Sequence, residues 1–84
     1  MEAKVFSVYV IKSLSSGTIY VGMATDIDLR LRQHNKGQSK FTQPFMPWRI
    51  IYHETIGVSA EARKREKYLK STAGKNFLRK SNII

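Results

Sequence analysis

Apolar and polar positions follow two different spacings along this chain, and these spacings predict strands and helices. Runs rich in β-branched and aromatic residues favour strands, and they occupy positions 5–11, 18–21 and 48–53. Apolar positions three and four apart favour helices, and they occupy positions 26–34 and a stretch that begins near Ser59. Positions 72–74 are expected to break this last stretch and leave a short terminal helix at 75–80. The pattern predicts an α/β fold of the α+β type, ordered β-β-α-β-α-α, with one three-stranded antiparallel sheet flanked by helices.

The first two predicted strands are separated by a serine-rich and glycine-containing turn at 13–17, which favours an antiparallel hairpin. Apolar side chains occupy both faces of the first strand, so we expect both faces to be covered. If the hairpin connection has an even number of residues, Tyr9 lies opposite or near Tyr20 and the two rings share a face. An odd number would separate the rings.

The first predicted helix places an arginine and a histidine four positions apart. Thr25 and Asp26 are both good N-cap residues. A rotation of about 100° per residue brings His34 close to the direction of Ile27, with Arg30 at the edge of that face. Arginine is rarely buried without a partner, so its position allows two interpretations. Either Arg30 extends along the edge of the core into solvent, or it serves a functional site.

The second predicted helix carries a glutamate on its inward side. Its apolar stripe is Val58, Ala62 and Leu69, continued by Ala73 after a bend, and Glu66 points within about 40° of Ala62. One interpretation is an exposed ion pair with a cation of the same helix, which contributes little to stability. The other is a carboxylate that meets a buried cation or a metal ion, because an inward charge needs a partner.

Charge is the strongest compositional signal. Fifteen Lys and Arg against six Asp and Glu give a formal net charge of +9. Eight of the fifteen cations fall between positions 63 and 80. Such an excess favours a polyanionic partner, and nucleic acid is favoured over an anionic membrane surface. The lack of cysteine excludes disulfides, thiolate metal sites and thiol catalysis.

The 84 residues are expected to form one domain, 1–84. The N-terminus shows no basic leader followed by an apolar run, and no apolar segment approaches the roughly 18 residues of a membrane span. We therefore expect a soluble, cytoplasmic protein with no membrane partner.

Several short segments, in their order and spacing, resemble the GIY-YIG endonuclease domain over about residues 6–78. The closest likeness is to small stand-alone members related to the nuclease domain of the excinuclease C subunit. The segments are Ser7-Val8-Tyr9, Tyr20-Val21-Gly22, Arg30-Leu31, His34 and Arg65-Glu66-Lys67. The resemblance implies that Tyr9, Tyr20, Arg30 and His34 are catalytic, and that Glu66 binds one Mg²⁺ or Mn²⁺ ion.

The chemistry of phosphodiester cleavage explains why these residue types would be used. A divalent ion on the Glu66 carboxylate can polarise the phosphate, and Arg30 can hold a phosphate oxygen as charge builds. A tyrosine can act as base for water if nearby cations lower its pKa from about 10, and His34 can share or relay the proton. Tyr9, Tyr20 and His34 all remain candidates for the group that takes the proton.

The resemblance implies a nucleic-acid partner, with DNA favoured over RNA. The cations expected to contact it are Lys36, Lys40, Arg63, Lys67 and Lys70. The chain also departs from the family pattern. Met23 occupies a position where the repair nucleases often carry a lysine, and both Asn76 and Asn82 are imperfectly spaced for a late asparagine that supports the site in many members. Because the chain has no room for an attached module, a partner protein could supply specificity.

Three functions are therefore compatible with the sequence. The first is a divalent-metal-dependent endonuclease that hydrolyses phosphodiester bonds in DNA, with a role in repair or recombination. The alternative is a nucleic-acid-binding protein that keeps the nuclease fold but cleaves weakly or not at all. A basic peripheral membrane protein is disfavoured, because Glu66 interrupts an already narrow apolar stripe. An inward carboxylate among cations favours the enzyme over the binding protein.

Overall fold

A computed structural model describes residues 4–84 and contains three strands and three α-helices in the predicted order. The elements are β1 (Phe6–Ser13), β2 (Ile19–Ala24), α1 (Ile27–Asn35), β3 (Trp48–Gly57), α2 (Ser59–Lys70) and α3 (Thr72–Lys80), with a short 3₁₀ turn at Gln43–Phe45 before β3. The predicted α+β class and the order β-β-α-β-α-α are confirmed.

The three strands form one antiparallel sheet in the order β2-β1-β3, so β2 is an edge strand. Lys12 pairs with Ile19, and odd-numbered residues of β1 therefore lie opposite even-numbered residues of β2. Tyr20 lies opposite Ile11, which shares a face of β1 with Tyr9. The two tyrosines consequently lie on one face of the hairpin, as the even connection predicts.

Both faces of the sheet are covered, as the apolar residues on both sides of β1 predict. On one face, α2 and α3 pack against the strands through a buried cluster of Val8, Val10, Val21, Ala62, Leu69 and Leu78. On the other face, α1 and the segment before β3 cover a second cluster of Tyr9, Ile11 and Trp48. Tyr9 therefore belongs to the core, and its side chain is enclosed between the sheet and α1.

The break between the last two helices lies earlier than predicted. Ser71, not the 72–74 segment, separates α2 from α3, and its hydroxyl caps α3 by accepting a hydrogen bond from the Gly74 N–H at 3.2 Å. Gly74 is buried inside α3, where an added Cβ would collide with the backbone of Tyr68 and Leu69. Gly74 is thus a close-packing residue within a helix, and the prediction that it belongs to the helix break is wrong.

Two residues of the predicted apolar stripe are exposed. Val58 is 56% exposed, because it is the extended residue before α2 and not part of the helical face. Ala73 is also exposed, because Ser71 starts a new helix whose inward residues are Gly74 and Leu78. The inward positions of α2 are Ala62 and Leu69, as predicted.

A polar cluster joins β3 to α2 and α3 on the face opposite α1. Arg65 donates two hydrogen bonds to the Glu54 carboxylate, at 2.7 and 2.8 Å, and Tyr52 donates a third. The Arg65 guanidinium also lies over the rings of Tyr68 and Phe77, at 4.9 and 5.3 Å from their centroids. The bond from Arg65 holds the pKa of Glu54 below its usual range. This cluster is structural and fixes α2, which carries Glu66.

The helices of the described region are short, and α2 is the longest with 12 residues. Within residues 4–84, none combines the length and the apolar character that crossing a bilayer requires.

Candidate active site

A buried tyrosine at the middle of the sheet lies at the centre of the site. Tyr9 is 2% exposed, and its hydroxyl lies 2.9 Å from Nε2 of His34, which reaches it from the last turn of α1. Gly22 lies directly opposite Tyr9 on β2, and an added Cβ there would collide with the phenol ring. Glycine at this position therefore provides the space in which Tyr9 meets His34.

The second ring nitrogen of His34 is also engaged. Its Nδ1 lies 2.8 Å from the Thr42 hydroxyl oxygen, which itself lies 3.5 Å from the Ser39 carbonyl. The 2.8 Å contact fits either an Nδ1–H that donates to the Thr42 oxygen or a Thr42 hydroxyl that donates to Nδ1, depending on the His34 tautomer. With the proton on Nδ1, Nε2 carries a lone pair and accepts from the Tyr9 hydroxyl; with the proton on Nε2, both bonds run the other way.

The segment that carries Thr42 is held firmly, although it has little regular structure. The Trp48 indole N–H donates to the Thr42 carbonyl at 2.9 Å. Asn35 closes the base of the segment, since its side chain accepts from the Trp48 N–H at 2.6 Å and donates to the Trp48 carbonyl at 3.0 Å. Neither Thr42 nor Asn35 was recognised from the sequence, because nothing in the residue pattern there indicates which distant groups they bind.

Tyr20 lies between the buried pair and the surface. Its ring meets the His34 ring edge-on, with centroids 5.3 Å apart, and Nζ of Lys70 lies 5.8 Å from the centroid of Tyr20. Lys70 in turn lies 3.8 Å from the Glu66 carboxylate. The end of α2 thus reaches the edge strand β2 and brings Glu66 to the same group of side chains as Tyr20.

Arg30 completes the group from α1. Its Nη1 donates to the Gln33 side chain at 3.0 Å, and its guanidinium is close enough to Tyr9 and His34 to affect the titration of both. Gln33 was not singled out from the sequence, although its place three residues after Arg30 on a helix would have allowed it. Arg30 is partly buried, so it does more than extend freely into solvent.

Burial dominates the titration of the two central groups. It raises the pKa of Tyr9 to about 12, although Arg30 acts in the opposite direction, and the neighbouring Tyr20 and Glu66 add to the rise. Burial, assisted by the charge of Arg30, lowers the pKa of His34 to about 4. A pKa of Tyr9 lowered by nearby cations is therefore not found, because the loss of water outweighs the nearby arginine.

Glu66 is the carboxylate of this group. Its side chain is 21% exposed, and its charge is felt at Tyr9. Among residues 4–84, no three histidine, aspartate or glutamate side chains come together as a ready-made metal cage. A single, partly exposed carboxylate fits Mg²⁺ or Mn²⁺, since Mg²⁺ keeps several of its waters and commonly binds through one or two carboxylates and substrate phosphates.

The predicted nucleic-acid contacts are distributed over the surface. Lys36 and Lys40 are exposed on the α1 side, and Arg63 and Lys67 are exposed on α2. Lys70 alone among these five touches the Tyr20 and Glu66 side chains.

Neither of the two asparagines considered as supporting residues has a described contact with the candidate active-site side chains. Asn76 is exposed and accepts from Arg79 of its own helix at 3.1 Å. Asn82 lies beyond the end of α3 with a φ of 58°. The group defined by structural contacts and electrostatic influence is therefore Tyr9, Tyr20, Arg30, His34, Glu66 and Lys70, with Gln33 and Thr42 as partners.

The sheet order, the flanking helices and this group of tyrosine, arginine, histidine and glutamate define an α+β domain of the nuclease type. The family model of the GIY-YIG catalytic domain matches residues 5–82, and the chain belongs to this family. GIY-YIG domains are nuclease domains that act on nucleic acid and generally depend on a divalent metal ion.

Curated relatives extend over most of the chain. UPF0213 proteins of Staphylococcus aureus strains Mu3, N315 and USA300 are each 37% identical over 73 residues, which cover 86% of this chain and 88% of the relative. The chain is therefore similar to small bacterial proteins of nearly the same extent. No solved structure gives a significant match.

Proposed function

We propose that this protein is a divalent-metal-dependent endonuclease that hydrolyses phosphodiester bonds in DNA, with a role in repair or recombination in the cytoplasm. The observation that supports this most is the convergence of Tyr9, Tyr20, Arg30, His34 and Glu66 from four different elements. A protein that only binds nucleic acid needs exposed cations and aromatic rings. It has no need of a phenol buried against a neutral imidazole.

The substrate phosphate is bound by cations at the edge of this group. Arg30 can turn one edge of its guanidinium to a phosphate oxygen while it keeps the bond to Gln33, because the guanidinium has five N–H donors. Lys70 is exposed and lies beside Glu66 and Tyr20, where a second phosphate oxygen can replace the long ion pair of 3.8 Å.

The proton leaves the attacking water through Tyr9 and His34. At neutral pH the Tyr9 phenol is protonated, since its pKa is about 12, and His34 is neutral, since its pKa is about 4. When the proton of neutral His34 is on Nδ1, the Tyr9 oxygen can accept the proton of the water as its own proton moves to Nε2 of His34, 2.9 Å away. The water oxygen bonds to phosphorus, the bond to the leaving oxygen breaks, and that oxygen takes a proton from solvent.

Glu66 would hold the divalent ion, Mg²⁺ or Mn²⁺. When bound, such an ion supplies Lewis-acid stabilisation of the charge that develops on the phosphate. The Glu66 carboxylate lies close enough to Tyr9 for its charge to raise the pKa of the phenol. Its present partner, Lys70, is half-exposed and easily displaced.

Substitution of Glu66 tests the proposal, and α2 provides a matched control. Glu66→Gln should lower cleavage of supercoiled, linear and branched DNA by at least about 100-fold with Mg²⁺ or Mn²⁺, while binding measured in chelator is kept or becomes tighter. Glu61→Gln removes an equally charged side chain of the same helix, which is paired with Lys64 at 3.5 Å, and should leave cleavage unchanged. Cleavage by Glu66→Gln at the wild-type rate, with the same ion requirement, would refute the proposed role.

Arg30→Ala separates substrate binding from the role of Glu66. It should stop cleavage and also weaken binding, because it removes a phosphate contact. Glu66→Gln keeps affinity and loses chemistry, whereas Arg30→Ala loses both. Binding is read from fluorescence anisotropy of labelled DNA in chelator, and cleavage from gels after addition of the ion.

A nucleic-acid-binding protein without significant activity is the second candidate. It is favoured by one observation: Glu66 is paired with Lys70 in the structure and is the one carboxylate that the described site offers. This candidate replaces the first if the wild-type protein cuts no DNA or RNA with either ion while it binds nucleic acid.

A further inference from the structure

A cleft lies outside the buried Tyr9–His34 pair, beside the edge strand of the sheet. It has a volume of about 430 Å³ and is lined by Ile19, Tyr20, Val21, Phe41, Lys70 and Lys75. Since β2 is an edge strand, this side of it is not covered by a neighbouring strand. Tyr20 belongs both to this cleft and to the candidate active site.

Phe41 is the unusual residue of the cleft. It is 65% exposed, yet its ring is positioned against Tyr20, with centroids 5.7 Å apart and planes inclined by 40°. The backbone beside it is fixed, because the next residue, Thr42, is fully buried and bonded to both His34 and Trp48. Phe41 is therefore an apolar ring held at the surface by a rigid base, and it leaves most of its area for another flat group.

The charge around the cleft indicates which kind of ligand it can bind. Lys70 and Lys75, from α2 and α3, line it together with the aromatic rings. Aromatic rings combined with cations suit an unpaired nucleotide, because every base has a flat face for stacking and carries a phosphate. A base inside a continuous duplex cannot enter such a cleft without leaving its stack.

We propose that this cleft binds an unpaired nucleobase of the substrate strand by stacking on Phe41, with its phosphate contacted by Lys75. The inference rests on the proposed nuclease function, since Tyr20 places the cleft next to the site where the phosphate would be cut. The preferred substrate is then DNA with unpaired nucleotides beside the cleaved bond, such as a single-stranded arm or a fork.

A double-mutant cycle, with one change in the protein and one in the DNA, tests the stacking contact. The probe is a labelled forked duplex whose single-stranded arm carries either thymidines or abasic sites at the positions next to the fork. Wild-type protein in chelator should bind the thymidine arm about 5- to 150-fold more tightly than the abasic arm. Phe41→Ala should bind the two arms equally, with the affinity of wild type for the abasic arm.

Two further variants serve as controls. Phe41→Trp keeps a stacking ring and should restore the preference for the thymidine arm. Leu14→Ala truncates another large apolar side chain, 59% exposed and in the β1–β2 connection, and should leave the preference unchanged. Lys75→Ala should weaken binding to both arms, because it removes a phosphate contact and no stacking surface.

The outcomes separate this inference from the proposed function. If wild type does not distinguish the two arms, or Phe41→Ala keeps the preference, the base site is refuted even if the protein cuts DNA. Equal cleavage of duplex and forked DNA by wild type and Phe41→Ala would likewise refute it while leaving the nuclease intact. If no DNA is cut but the preference depends on Phe41, the base site stands and the nuclease proposal fails.

Discussion

The buried His34 makes the stability of the protein sensitive to mild acid. A histidine of the unfolded chain takes up a proton below its usual pKa of 6.5, whereas burial keeps folded His34 neutral until the pH approaches its pKa of about 4. The unfolded state therefore binds more protons between these two values, and the free energy of unfolding falls as the pH falls through this window. The stabilisation is fully present above pH 6.5.

The size of the effect follows from the difference between the two pKa values. Between neutral pH and pH 5, the loss is about 2 kcal/mol, and it approaches roughly 3 kcal/mol below pH 4. The carboxylate of Glu54, whose pKa is lowered by Arg65, loses its contribution only below its ordinary pKa of 4.5. The interval from pH 7 to pH 5 thus isolates the histidine.

Urea unfolding followed by Trp48 fluorescence at a series of pH values measures this slope. His34→Gln should flatten the slope between pH 7 and pH 5, although it also lowers stability overall by removing the bonds to Tyr9 and Thr42. His53→Gln is the matched control, since His53 is the other histidine and is exposed. It should leave the slope unchanged.

Two results would refute the reasoning about His34. A wild-type free energy of unfolding that is constant from pH 7 to pH 5 would mean that the folded and unfolded states protonate His34 alike. If the pH dependence of stability persists in His34→Gln and disappears in His53→Gln, it is caused by His53 and not by His34.

Two further substitutions test the packing that holds the site. Gly22→Ala should lower the free energy of unfolding by about 1–3 kcal/mol and reduce cleavage sharply, because the added methyl group displaces the Tyr9 ring. Urea unfolding and a cleavage assay measure the two effects. An unchanged urea midpoint would contradict the close approach of Gly22 to Tyr9. Arg65→Lys should lower the free energy of unfolding by about 1–2 kcal/mol in the same measurement, because lysine cannot make the paired bonds to Glu54 or lie flat on Tyr68. Full wild-type stability would contradict a structural role for the contacts of Arg65.

The hairpin and its shared face could be predicted because the sequence information is local there. A turn of small residues separates two β-branched runs, and a period of two then assigns each side chain to a face. Tyr9 and Tyr20 fall on one face once the pairing is known. The N-cap of α1 could be restricted to Thr25 or Asp26 from local sequence, and the structure shows Asp26, whose side chain accepts from the Leu29 N–H at 3.0 Å.

The break between α2 and α3 could not be placed correctly, because tertiary packing overrides the local preference. Glycine has a low helix propensity, so Gly74 suggested an interruption. In the structure α3 crosses so close to Tyr68 and Leu69 that a residue without a side chain is required inside the helix. Ser71 then becomes the break, and it caps the new helix.

The α1–β3 segment was the least predictable part of the site. It has no apolar repeat, and the partners of Thr42 are a histidine eight residues before it and a tryptophan six residues after it. Phe41 was not recognised from the sequence either, since sequence alone does not show that its neighbour is fixed. Groups whose role depends on a contact between separate elements leave no periodic signal.

Burial in the core both stabilises the fold and sets the charge states of Tyr9 and His34. Both lie within the second core cluster or against it, so burial keeps the phenol protonated and the imidazole unprotonated at neutral pH. A surface tyrosine with its pKa lowered by lysines would need no histidine, whereas a buried phenol can release its proton only to a partner in contact with it. His34 is in contact with the phenol, at 2.9 Å, and its Nε2 can accept when the ring proton is on Nδ1. The proposed relay needs both residues, and the burial that brings them together also opposes the charge that His34 would carry after accepting the proton.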